Sequence, residues 1–74
     1  MKTVFVLVQK LDDGQILTAT FSTFDAAVEQ VRREFRYHGI EDIFEKGAEG
    51  ALRETQTCTD GFTRYQIDEC EVRE

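Results

Sequence analysis

Thr3-Val4-Phe5-Val6-Leu7-Val8 is the stretch that decides the fold. Its residues are β-branched, aromatic or aliphatic throughout, a composition that suits a pleated strand better than a helix. Alternation along a strand sends Val4, Val6 and Val8 to one side and Phe5 and Leu7 to the other, so both faces are apolar. Such a strand belongs in the centre of a sheet. Immediately after it, Asp12-Asp13-Gly14 supplies turn residues, with a glycine able to take positive φ, and Gln15 to Phe21 resumes a strand to close a hairpin.

Ser22 or Thr23 then offers an N-cap, with Asp25 placed to favour the positive end of a helix dipole. Phe24, Ala27, Val28, Val31 and Phe35 form one apolar stripe at helical spacing, while Glu29, Arg32, Arg33 and Arg36 lie off it. The pattern predicts a helix from about Thr23 to His38, supported by a Glu29–Arg33 pair and ended by Gly39. Ile40, Ile43 and Phe44 keep helical spacing for little more than a turn before Gly47 and Gly50 interrupt, which predicts a short helical turn inside a loop. Leu52 to Thr59 reads as a polar third strand. Asp60-Gly61 then reads as a two-residue hairpin turn placing Cys58 opposite Thr63. Phe62, Tyr65, Ile67, Cys70 and Val72 do not share one parity, so the fourth strand is expected to bulge or change its buried face.

The element order strand, strand, helix, strand, strand (ββαββ) specifies an α+β two-layer sandwich: a four-stranded, mainly antiparallel sheet with one main helix across one face. The third strand suits an edge and the first the centre. Seventy-four residues form a single domain, 1–74, which buries only about 60% of the surface its unfolded chain exposes. One helix covers one side of a sheet. The other side is then left to Ile40, Ile43 and Phe44 folding back as a lid, to a second copy, or to a different protein. The apolar candidates for a partner surface are therefore Phe5, Leu7, Ile40, Ile43 and Phe44.

Charge adds a second set of candidates. The formal net charge is -6, and residues 39–74 carry all of it, with four basic groups against ten acidic ones. Glu41, Asp42, Glu45, Asp68, Glu69 and Glu71 either steer a basic partner onto the protein or form a solvated face that keeps it soluble. An acidic chain argues against nucleic acid, whose phosphates call for clustered Lys and Arg. The longest apolar run has five residues, far short of roughly 18 for a membrane span, so neither membrane insertion nor a secretory leader is expected and the compartment implied is the cytoplasm.

Catalytic machinery is equally hard to find. The single histidine, His38, sits at the expected helix end, and no base stands beside a nucleophile. Gly47 and Gly50 fit no phosphate-binding loop. Cys58, Cys70 and His38 fall short of a zinc set and contain no C-x-x-C pair, and the expected register keeps the two cysteines apart as free thiols. No enzyme activity, cofactor or metal is expected.

The opening Val-Phe-Val-Leu-Val, the junction Phe21-Ser22-Thr23-Phe24-Asp25-Ala26-Ala27 and the closing Asp60-Gly61-Phe62 with Ile67-Asp68-Glu69-Cys70-Glu71-Val72 together resemble an uncharacterised family of short bacterial and phage α+β proteins. Members open on an aromatic-rich strand, enter a helix through a Tyr-Ser-x-x-Glu-Glu-Ala-like junction and end in Gly-Phe-x-Ile-Asp-Glu-x-Glu. This chain departs from them by Thr63-Arg64-Tyr65-Gln66 between Phe62 and Ile67, and by the additional region Leu52 to Thr59. The resemblance covers about half the chain and implies a small phage- or prophage-type domain, with no catalytic residues to carry over. The function expected is a non-enzymatic, homodimeric protein-binding module of phage or mobile-element type, an inhibitor or anti-defence protein acting through its acidic or apolar surface. The alternative is a small accessory subunit whose homodimerisation completes its core.

Overall fold

The computed structural model describes residues 2–73. β1 (Lys2–Leu11) pairs antiparallel with β2 (Ile16–Phe21) on one side and β4 (Thr63–Val72) on the other, and β3 (Thr57–Thr59) completes the sheet in the order β2-β1-β4-β3. The fold is α+β, with the apolar opening strand in the centre and the short, Thr-rich β3 on an edge, as the sequence indicates.

The first hairpin closes through Leu11 N–H to Gln15 O at 2.9 Å and Gly14 N–H to Leu11 O at 3.1 Å. Gly14 has φ of +92°, the left-handed geometry that a three-residue hairpin loop requires at its last position. Thr23 caps α1 (Phe24–Tyr37), its hydroxyl accepting from Ala26 N–H at 3.1 Å. At the other end Ile40 N–H reaches Phe35 O and Gly39 N–H reaches Arg36 O, a paired closure that needs the positive φ of Gly39 (+75°).

Residues 41–55 differ from expectation. They form a continuous helical segment, comprising α2 (Glu41–Ile43), a π-helical stretch (Phe44–Ala48) and α3 (Glu49–Thr55). Gly47 and Gly50 lie on its outer side with open space around them, so they cost propensity without breaking the helix. Phe44 and Leu52 are fully buried with Ala48 packed between them, and this burial outweighs the propensity cost. Leu52 to Thr55 is thereby helix rather than strand, and β3 shrinks to three residues.

The second turn is shifted by one residue. Asp60 pairs with Thr63, leaving Gly61 and Phe62 as the loop, with Gly61 at φ of +96°. The Asp60 carboxylate explains the shift: Oδ1 accepts from Phe62 N–H at 2.8 Å and from Thr63 N–H at 2.7 Å. Cys58 therefore faces Tyr65 rather than Thr63, and Phe62 sits exposed in the turn. The β1–β4 register runs without interruption from Lys2–Val72 to Leu11–Thr63, so there is no bulge; Tyr65 and Ile67 face one side, Cys70 and Val72 the other.

The core holds Leu7, Tyr65, Ile67 and Cys58 from the sheet, Ala27, Val28, Val31 and Phe35 from α1, and Phe44 and Leu52 from the second helical segment. All of these sheet residues share one face. Both helical segments consequently lie on the same side.

Candidate interaction face

The side of the sheet that the helices leave open is defined by register. Directly opposed residues share a face, so Val4, Val6 and Val8 stand with Thr18 and Thr20 of β2 and with Gln66, Asp68 and Cys70 of β4. The three valines and Cys70 are half-buried by their neighbours alone, and no described residue from a helix reaches them. Ile16 and Val72, 61% and 44% exposed, extend the apolar surface at opposite corners. Lys2 and Lys10 mark the ends of the β1 stripe, with Arg64 directly opposite Lys10. Among the described residues the face thus carries three cations against the single carboxylate of Asp68, in a protein of net charge -6.

The apolar residues expected to form a partner surface are distributed otherwise. Leu7 and Phe44 are completely buried, so they belong to the core and present nothing to a partner. Phe5 is partly buried and meets Phe24 edge-on at 5.9 Å between ring centroids, while Ile40 packs partly buried against the core. Ile43 alone of the five is substantially open, at 48%. The reason is geometric: Phe44 closes over the Leu7 side, beside α1, instead of forming a lid on the valine side. The unoccupied face is therefore the reverse of the one carrying Phe5 and Leu7.

The acidic candidates do not converge either. Arg32 joins the two helical segments, reaching Glu29 at 3.2 Å, Glu45 at 3.3 Å and Glu49 at 2.9 Å, with its guanidinium 5.1 Å above the Phe44 ring. Glu29 thus pairs with Arg32, not Arg33. Burial pulls the Arg32 guanidinium down, but Glu49 and Glu29 outweigh it and its pKa is raised. Glu41 bonds to Arg36 at 2.6 Å, and that hydrogen bond holds its carboxyl below the usual range. Asp42 is exposed beside it. Asp68 accepts from Gln66 Nε2 at 2.8 Å on the open face, whereas Glu69 and Glu71 have the parity of the helix side.

Two further features bear on chemistry. Where β3 stops short of the far half of β4, an open groove of about 520 Å³ lies among Phe5, Phe24, Arg53, Gln56 and Glu69, but its one guanidinium is engaged by Asp25 at 2.8 Å. Cys58 is buried against Tyr65, and its thiol is pushed up to about 12 by burial and then by Asp60, which makes it unreactive at neutral pH. Tyr65 is raised by burial in the same way and donates its hydroxyl to Asp60 Oδ2 at 3.2 Å. Cys58 and Cys70 are free and stand on opposite sides of the sheet. Among the described residues no group of three or more His, Cys, Asp or Glu is placed to hold a metal, no buried side-chain polar atom lacks a partner, and no helix is long and apolar enough to cross a membrane.

The chain matches no family model, no curated protein and no solved structure.

Proposed function

We propose that this protein is a non-enzymatic protein-binding module whose contact surface is the open sheet face. The observation that carries the reading is that both helical segments pack on the Leu7 side, leaving the Val4-Val6-Val8 stripe with no cover from the described chain. A continuous apolar strip bounded by threonines and charged groups is the composition of a contact centre with a polar rim. The cations at its ends select the partner: an apolar patch flanked by carboxylates fits, and a basic one does not. The acidic groups elsewhere then serve solubility. Such a module acts by occupying a surface of another protein, as an inhibitor or anti-defence factor does.

Affinity capture with paired baits tests this. The wild type is expected to retain a partner that Val6→Lys, checked for an unchanged circular dichroism spectrum, does not, because a charge enters the middle of the apolar strip. Lys10→Glu is expected to slow association and reduce its salt dependence. A partner held equally by Val6→Lys refutes the assignment of this face.

A further inference from the structure

The two edges of the sheet are protected to very different degrees. Ile67 N–H bonds to Gln56 O, and Asp60 N–H to Thr63 O, so odd-numbered β4 residues turn their main-chain groups toward the β3 side. Beyond Gln56 the free groups of that edge belong to Glu69 and Glu71, whose carboxylates blunt it against another strand. The opposite edge, β2, has no such device. Its sequence Ile16-Leu17-Thr18-Ala19-Thr20-Phe21 contains no charge, no proline and no glycine, and Ile16 and Leu17 are 61% and 50% exposed.

Main-chain polarity on β2 follows from the hairpin. The bond from Leu11 N–H to Gln15 O makes 11–15 a hydrogen-bonded pair, and alternation makes 9–17, 7–19 and 5–21 the next ones. Leu17, Ala19 and Phe21 therefore spend their main-chain groups on β1. Ile16, Thr18 and Thr20 direct theirs off the sheet.

We infer that β2 is a self-pairing edge, through which two copies of this chain join antiparallel into one continuous sheet. The sequence of the strand supplies the reason to choose a second copy. Leu17-Thr18-Ala19-Thr20-Phe21 is symmetric about Ala19 in its pattern of large apolar, threonine and small residues. An antiparallel two-fold axis at Ala19 sets Thr18 opposite Thr20 of the partner subunit, matching the residues whose main-chain groups are free. It also sets Leu17 opposite Phe21 of the partner subunit on the helix side, and Thr–Thr and aromatic–aliphatic pairs are favourable cross-strand combinations. An axis at Thr18 instead would leave Phe21 opposite Gln15 of the partner subunit. A single strand edge buries less than the roughly 1,600 Å² of a standard interface, so the dimer is concentration-dependent. The axis stands perpendicular to the sheet, so both valine faces point the same way and remain free; the inference is independent of what that face binds.

Light scattering from about 10 µM to about 1 mM spans the relevant affinities. Wild type is expected to rise from 8.6 kDa toward twice that mass. T18K/T20K opposes like charges across the junction and is expected to weaken dimerisation at least tenfold, whereas T18K/T20E places opposite charges there and restores it in a salt-sensitive way. Both positions are exposed in the single chain, so each variant keeps its circular dichroism spectrum. A wild type that stays monomeric to about 1 mM overturns the inference. So does a dimer indifferent to T18K/T20K, and one lost only in Val6→Lys assigns self-association to the valine face instead.

Discussion

Truncating Phe44 tests the one element on which the sequence and the structure disagree most. Its side chain is fully buried, its ring centroid is 5.1 Å from that of Phe35, and the Arg32 guanidinium lies 5.1 Å above it. Phe44→Ala removes the ring and leaves a cavity between α1 and the second helical segment, at a cost of about 3–5 kcal/mol, of which the aromatic pair accounts for about 0.5–1.5. A domain of this size holds about 4–11 kcal/mol in all, so the variant loses from about a quarter of its stability to all of it. Phe44→Leu, which keeps most of the volume, is expected to lose about 1.5 kcal/mol or less and guards against a variant that fails to fold. Phe62→Ala is the control: Phe62 is 72% exposed in the second turn and its loss is worth at most about 0.5 kcal/mol. Urea unfolding followed by circular dichroism, with m-values compared among the three, reads these differences directly. If Phe44→Ala and Phe62→Ala unfold at the same midpoint, residues 41–55 are not a core layer and the exposure of the valine face no longer follows.

Thiol titration under native conditions is expected to show one fast-reacting cysteine, Cys70 on the open face, and one slow, Cys58; two fast thiols in the wild type would contradict the placement of Cys58. Alkali should weaken the fold, because the folded Cys58 thiol stays protonated up to about 12 while that of the unfolded chain ionises from 9.0. Stability from this source is intact below pH 9 and falls by about 1.4 kcal/mol per pH unit above it, with Tyr65 adding a loss of the same sign. Urea midpoints at pH 8 and above pH 10 check it, and Cys58→Ala should flatten the early part; an unchanged midpoint refutes the burial argument. Arg32→Gln leaves Glu29, Glu45 and Glu49 facing one another without their shared cation, so its melting temperature should drop and recover more with added salt than that of the wild type. Equal salt responses would show that the three carboxylates are not coupled.

The elements readable from the sequence are those in which local and tertiary preferences agree. The 24–37 helix has a capping threonine, an unbroken apolar stripe and a terminating Gly39, and each appears in its expected role. β1 is apolar on both sides and lies in the centre for that reason. Residues 41–55 were not legible in the same way, because Gly47 and Gly50 carry the local signal of a loop while the helical repeat of Phe44, Ala48 and Leu52 only gains its value once those side chains meet α1 and the sheet. The second turn differs from its expected position for a smaller reason: Asp60 serves as the hydrogen-bond acceptor that starts the turn, and the Asp-Gly pair by itself does not distinguish that role from occupancy of the loop.

The open face depends on that same segment. Alternation in β1 establishes that two apolar sides exist, but which side faces solvent is decided by where Phe44 packs, and this turns on a helix running through two glycines. Charge is redistributed in a similar way. Counted along the chain, the acidic groups concentrate after residue 38 and fit either a basic partner or a solvated face. Once β4 is placed in register, Asp68 is the only carboxylate among the described residues of the valine face, Glu69 and Glu71 go to the other side, and Lys2, Lys10 and Arg64 from distant parts of the sequence gather at the ends of the stripe. A partner attracted to the protein as a whole is therefore opposite in charge to one that complements its apolar face, and salt dependence separates them: neutralising Lys10 should weaken face binding, while neutralising Glu69 or Glu71 should leave it unchanged or strengthen it by removing long-range repulsion of an acidic partner.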